Sequence, residues 1–141
     1  MADCIFCMIA NKEIPSNVVY EDEQIVCFHD LEPQAPVHVL IIPKKHIASM
    51  DDVKEEDKEL LGHIMVKVHE IAEILGLENG YRLVNNCGED GFQTVKHIHF
   101  HLLGKRKMTW PPGWLKCKEI CLASWWKTWT KSACQLEQMV V

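Results

Sequence analysis

No run of this chain approaches 18 consecutive uncharged apolar residues, and the start, Met1-Ala2-Asp3-Cys4, carries neither a basic segment nor an apolar one behind it. A membrane-spanning helix and a secretory leader are therefore not indicated, and the cytoplasm, or the nucleus in a eukaryote, is the expected location. Positive charge is scarce as well. The balance of 15 Lys and Arg against 20 Asp and Glu leaves a net charge of -5, which argues against a general grip on nucleic acid, because that needs clustered cations to displace counterions. A single nucleotide in a dedicated pocket is not excluded. Internal repeats are lacking. A paired cysteine framework is lacking too, since seven cysteines is an odd number and a reducing compartment favours free thiols or a metal site over disulfides.

What is present is an ordinary globular composition. The 141 residues are 48% hydrophobic and 25% charged, far from the signature of disorder and enough for one domain with a real core. Cys4 to Asn11 places Ile5, Phe6 and Ile9 at helical spacing before Pro15, which predicts a short helix. Three strand-like runs follow, Val18–Tyr20, Ile25–Phe28 and Val37–Ile42, the last bounded by Pro36 and Pro43. They predict an antiparallel meander. Between Val53 and Leu75 the residues Leu60, Leu61, Ile64, Val68, Ile71, Ala72 and Leu75 trace one stripe, with Gly76 beyond the end; this is the principal helix. His63 and His69 lie off that stripe and are read as facing solvent. Tyr81–Asn85 is a further strand, Cys87–Lys96 a loop and His97–Leu103 the last strand. The order predicts an α+β fold, with the long helix on an antiparallel sheet of about five strands.

His97, His99 and His101 alternate with Ile98, Phe100 and Leu102. On an extended strand the three imidazoles share one face, about 7 Å from one to the next, while the apolar residues take the other. A purely structural role is a weak account of three such rings, because each buried ring nitrogen needs a partner. Convergence of all three on one metal ion conflicts with that spacing. A catalytic arrangement asks less of the geometry: a central imidazole, His99, attacks while its neighbours hydrogen-bond to the attacking and departing groups. The preceding loop, Asn86 to Val95, offers two glycines, the Thr94 hydroxyl and backbone N–H groups suited to an anion. Cys4-x-x-Cys7 has metal-ligand spacing, and by itself it reads equally as a redox pair, two small buried residues or half a zinc site.

His97 through Leu103 satisfies every position of the His-φ-His-φ-His-φ-φ signature, with φ apolar, and the chain resembles the histidine triad superfamily. Within it the resemblance is to the Hint branch of nucleoside phosphoramidases, carried also by Phe28-His29-Asp30, Gln34-Ala35-Pro36, Ile42-Pro43-Lys44-Lys45-His46 and Trp110-Pro111-Pro112-Gly113. It covers residues 4–113, so residues 1–113 form the predicted domain. The resemblance implies a homodimer whose sheet continues across both subunits. It also implies hydrolysis of purine nucleoside 5'-phosphoramidates or acyl-adenylates to the monophosphate, through a covalent nucleotidyl-His99 and without a catalytic cofactor. Asn86 and Thr94 match polar residues near the scissile bond, His101 the histidine at the phosphate or leaving group, and His38 one that helps to orient the nucleophile. Asp30 matches the carboxylate that takes the ribose hydroxyls, with Phe28 and Leu31 beside the base. Gln93, Val95 and Trp110 complete the implied nucleotide site. In bacterial relatives, and in the related galactose-1-phosphate uridylyltransferases, a cysteine pair joins two histidines on structural zinc; the matching set here is Cys4, Cys7, His46 and His97.

The chain also departs from that pattern. Phe92 stands where many Hint proteins have Gly, and Cys87 where many have Glu, both flanking the phosphate loop. Relatives ending in Trp-Pro-Pro-Gly stop at the glycine, whereas this chain continues through residues 114–141 with four tryptophans and three cysteines. That extension reads either as an amphipathic helix lying on a membrane or packing on the dimer, or as a segment without selected structure; nothing else in the sequence supports membrane contact. Two rival functions stand beside the phosphoramidase: a dinucleoside polyphosphate hydrolase, which shares the histidine strand, and a noncatalytic nucleotide-binding scaffold.

Overall fold

In a computed structural model of the chain, residues 4–110 and Pro112 are described. The expectations for residues 114–141 lie outside them. The chain divides into two compact units, Met1–Lys107 and Met108–Val141, and the first holds every regular element among the described residues.

The principal helix, α2, spans Lys58–Ile74. It begins five residues after the Val53 bound of the expected helix, because two short 3-10 turns, Met50–Asp52 and Glu55–Asp57, come first. The reason is local. The buried Asp57 carboxylate accepts the Lys54 backbone N–H at 2.9 Å and the Lys45 ammonium at 2.6 Å, closing a tight turn where another helical turn would otherwise sit. At the far end Gly76, at φ 64°, takes the left-handed conformation that lets Leu77 N–H reach the Ala72 carbonyl, a Schellman stop.

The strands are β1 (Val18–Glu21), β2 (Ile25–His29), β3 (Val37–Pro43), β4 (Tyr81–Asn85) and β5 (Phe100–Gly104). They form one antiparallel sheet in the order β1-β2-β3-β5-β4, with β1 and β4 at its edges among the described residues. Both faces are covered. Ile25, Cys27, Val39, Ile41, Phe100 and Leu102 pack against Ile64, Val68, Ile71 and Ala72 of α2. On the opposite face Val26, Phe28, Leu40 and Ile42 pack against Phe6 and Ala10 of the short helix α1 (Ile5–Ala10). Burial on both faces explains why β2 and β3 read as nearly unbroken apolar runs.

Two sequence expectations are corrected. His63 does not simply face solvent: its Nε2 lies 2.7 Å from the Asp22 carboxylate, tying the β1–β2 turn to α2. Burial opposes ionisation of Asp22, but hydrogen bonds from the Gln24 N–H, His63, the Ile25 N–H and Tyr20 outweigh it and hold the carboxyl down to about 2. His69 is exposed as expected, with Glu73 3.5 Å away. The last strand begins at Phe100, not at His97. Its pairing with β3 ends at Ile41–Phe100, because Pro43 has no N–H to extend the ladder and its carbonyl is taken by the His97 ring at 2.9 Å. Asn85 ends the other side by donating its side-chain amide to the His99 carbonyl at 2.8 Å.

Candidate active site

Four polar side chains meet on the α1 side of the sheet: Asp30 just after β2, His38 near the start of β3, His99 just before β5 and His101 within it. Their hydrogen bonds fix the tautomers. The Gln34 backbone N–H, an obligate donor, points at His38 Nδ1 from 3.1 Å, so that nitrogen offers a lone pair and neutral His38 carries its proton on Nε2. His38 Nε2–H then donates to His101 Nδ1 at 2.9 Å, which places the His101 proton on Nε2. His101 Nε2 is buried and has no hydrogen-bond partner among the described residues. His99 is set the opposite way. Its Nδ1–H donates to the His97 carbonyl at 2.7 Å, leaving a lone pair on Nε2. The His99 and His101 rings lie 5.0 Å apart, nearly edge to face. A nucleophilic nitrogen and an unsatisfied N–H donor thus stand side by side, as displacement at an anionic centre requires.

Burial, helped by the neighbouring His99 and His38 rings, lowers the His101 imidazole to about 4. Burial likewise lowers His38, against the attraction of Asp30. Asp30 Oδ1 accepts the Glu32 N–H at 2.8 Å, and Oδ2 lies 3.5 Å from His38 Nε2. Asp30, His38 and His101 bring donor atoms within 4.8 Å of one another. They form a hydrogen-bond relay and not a cation cage, because the Gln34 N–H takes the His38 Nδ1 lone pair and leaves Nε2 protonated.

A second cluster joins α1 to the same strand. Cys4 and Cys7 Sγ each lie 3.5 Å from His97 Nδ1, Cys7 Sγ is 3.2 Å from His46 Nδ1, and the two Nδ1 atoms are 3.3 Å apart. A zinc tetrahedron with Zn–S of about 2.3 Å and Zn–N of about 2.0–2.1 Å has S···N edges of about 3.5 Å and an N···N edge of about 3.3 Å. The donor set fits those edges. The His97 tautomer fits as well, because Nε2–H donates to the Pro43 carbonyl and leaves the Nδ1 lone pair facing the sulfurs. Burial and then the adjoining Cys4 thiol push the Cys7 thiol up to about 11. A divalent cation among the four atoms would offset that penalty and hold the sulfurs as thiolates.

A family model described as the HIT domain matches residues 11–108. The chain belongs to the HIT-domain family. It is 50% identical to an uncharacterised HIT-like protein of Synechococcus elongatus over 111 residues, 79% of this chain and 97% of the relative. The crystal structure of a HIT family hydrolase from Legionella pneumophila is 56% identical, covers 79% of this chain and all of its own, and superposes with a TM-score of 0.77. A zinc-bound histidine triad family protein from Mycobacterium smegmatis is 30% identical, with 75% of this chain and 77% of its own covered and a TM-score of 0.64.

The other residues singled out from the HIT pattern are distributed unevenly. Phe28 is a core residue, its ring edge-on to Phe6 with centroids 5.8 Å apart. Val95 packs on the same cluster. Gln93 pins the loop, its amide donating to the Ala48 and Val95 carbonyls at 2.7 and 2.9 Å. Asn86 is half-buried, while Thr94 is exposed and Leu31 is 97% exposed. Phe92 adopts φ 58° and is exposed. Trp110 falls in the second unit and is exposed there. Gly91 packs so closely that a Cβ would stand 2.3 Å from the Cys87 carbonyl oxygen.

Three participants escaped sequence reasoning. Phe6 packs edge-on to the rings of both His97 and His99; its place between Cys4 and Cys7 was the available signal. Gln34 acts through its backbone, and Asn85 through a bond to a carbonyl, for which no residue pattern exists. The histidine chemistry yields a testable consequence. His101 titrates at about 4 in the folded chain against an ordinary 6.5, so unfolding takes up a proton between those values; its contribution to stability is full above pH 6.5 and is lost as pH falls toward 4. NMR titration of the ring should place the His101 midpoint near 4, and His101→Asn should reduce the loss of stability over that interval, the buried His97 and His38 rings supplying the rest; a midpoint at 6.5 would contradict the buried, neutral ring.

Proposed function

We propose that the chain is a nucleoside phosphoramidase of the Hint type, cleaving purine nucleoside 5'-phosphoramidates and acyl-adenylates. The HIT-family hydrolase fold supports a nucleotide hydrolase or nucleotide-binding role. One observation carries the finer reading: His99 presents an Nε2 lone pair beside the buried Nε2–H of His101, which has no partner among the described residues. His99 Nε2 attacks phosphorus. The P–N bond breaks with its electron pair on nitrogen, which takes up a proton and leaves as the amine. Water then attacks the nucleotidyl-His99, its proton is released, and the phosphorus–His99 bond breaks to give the monophosphate. In this reading the His101 N–H meets a nonbridging or leaving atom and is held there by His38. Thr94 and Asn86 attend the phosphoryl group, and Asp30 retains acceptor capacity for the ribose hydroxyls. Leu31, Phe28 and Val95 are assigned to the base side, and Gln93 shapes the loop.

His99→Ala should lower turnover of adenosine phosphoramidate by at least about 10³-fold while circular dichroism stays unchanged. Release of AMP by that variant at near the parent rate would sink the mechanism. Turnover of diadenosine triphosphate in preference to the phosphoramidate would move the assignment to polyphosphate hydrolysis, and AMP binding without turnover would indicate a scaffold.

The same reading gives Cys4, Cys7, His46 and His97 to structural zinc, supported by the tetrahedral fit and by the zinc-bound relative. When bound, the metal would hold both thiolates and fasten α1 to the segment that leads into β5. Protein purified without added zinc should contain about one zinc per chain and melt at a lower temperature after chelation; less than about 0.2 per chain would reject the site.

Among the described residues β4 is the last strand on its side of the sheet, and a second copy alongside it would continue the sheet as the Hint pattern implies. Light scattering should then give twice the 16.3 kDa chain mass. A monomer mass would refute the dimer.

A further inference from the structure

Arg106 lies two residues beyond β5 and is exposed, yet its guanidinium turns back to the loop between β2 and β3. Its Nε–H donates to the Gln34 carbonyl at 3.1 Å and its Nη1–H to the Lys107 carbonyl at 3.4 Å. Gln34 is held from other directions as well. Its N–H donates to His38 Nδ1 and its side-chain amide to the Glu32 carbonyl at 3.0 Å. Pro33 has a fixed φ, and Pro36 confines Ala35 to extended backbone. The loop therefore carries few donors on a stiff frame, and the direction of one of them, the Gln34 N–H, determines where the His38 proton sits.

We propose that Arg106 is a positioning residue for the phosphorus chemistry: by anchoring Gln34 it keeps the proton on Nε2 of both His38 and His101. The proposal rests on the reading that His99 and His101 face a phosphoryl group. The two tautomers of a neutral imidazole differ little in free energy, so one backbone hydrogen bond of ordinary strength can decide between them. Were the Gln34 N–H to swing away, His38 would be free to carry its proton on Nδ1 and present a lone pair to His101. His101 would then have to hold its proton on Nδ1. Its Nε2 would become a second lone pair beside that of His99, repelling phosphoryl oxygens where a donor is needed. Asp30 Oδ2, 3.5 Å from His38 Nε2, favours the same tautomer, which makes the clamp two-sided: the Gln34 N–H at Nδ1 and the carboxylate near Nε2. Arg106 acts on the first through three successive hydrogen bonds, from guanidinium to Gln34, Gln34 to His38 and His38 to His101.

Removing the anchor should reduce kcat more than it alters KM. With adenosine phosphoramidate as substrate, Arg106→Ala should lower kcat by about 3- to 10-fold with KM changed less than about twofold. Arg106→Lys, which keeps a donor, should recover most of the loss. Lys107→Ala removes a positive charge from the same stretch but leaves the bonded carbonyl in place, and should leave kcat unchanged. Nitrogen-15 NMR of the histidine rings gives a readout separate from turnover: His101 Nε2 should be protonated in the parent, and Arg106→Ala should shift part of that signal to the other nitrogen. A rise in KM at constant kcat would assign Arg106 to charge steering and overturn the proposal, as would unchanged histidine tautomers in Arg106→Ala. Absence of turnover in the parent would defeat the phosphoramidase reading, while the NMR comparison would still decide the clamp.

Discussion

The carbonyl oxygen of His97 accepts the Nδ1–H of His99 at 2.7 Å, and the chemistry on either side of that bond depends on it. The bond sets the tautomer that leaves the His99 Nε2 lone pair free. The residue that supplies it is itself held firmly. Its N–H donates to the Val95 carbonyl, its ring Nε2–H to Pro43, and its Nδ1 faces the two thiols and His46. His97 therefore meets the approaching loop through its main chain, β3 and the thiol-bearing helix through its side chain, and His99 through its carbonyl. Because rigidity at a reacting atom comes from the groups that hold its holders, a residue with all its polar groups engaged is a good neighbour for a nucleophile.

The two faces of the sheet divide the work. The α2 face buries a continuous apolar cluster with Ile25, Ile41, Ile64, Ile71 and Leu102 fully out of solvent, and at about 25 cal/mol per Å² that burial is the main source of stability. The α1 face is covered by a helix of six residues, too short to stand without tertiary support. It is secured by Phe6 and Ala10 against the sheet and by the thiol cluster at its start. The histidine cluster lies on that second face, with His99 edge-on to Phe6 and His101 beside His99.

Much of this was legible beforehand. The apolar stripe of α2 and the unbroken runs of β2 and β3 reflect burial on one stripe or on two faces, and such patterns are local in sequence. The histidine spacing and the Cys4-x-x-Cys7 pair marked the site for the same reason: few other demands place those residues so. Less legible was the start of β5, since His97-Ile98-His99 alternates like a strand, and only the termination of the β3 ladder at Pro43 keeps it out of the sheet. The start of α2 is less legible as well: the expected helix reaches back to Val53, whereas the fold uses Asp57 to close a turn on Lys54. The contacts that Gln93 makes with the Ala48 and Val95 carbonyls, and Phe28 with Phe6, are long-range or loop-specific and carry no mark in the sequence.

By itself the sequence determined the α+β class, the principal helix, the apolar face of the last strand and the cluster of residues able to attack phosphorus or ligate a metal, because periodicity and residue type carry that information along the chain. Tertiary structure alone decided which histidine presents a lone pair and which a proton. Those states depend on the Gln34 N–H, the His97 carbonyl, the Pro43 carbonyl and the Arg106 guanidinium. Main-chain groups are alike at every residue, so nothing in the sequence marks the few that the fold brings to a ring nitrogen.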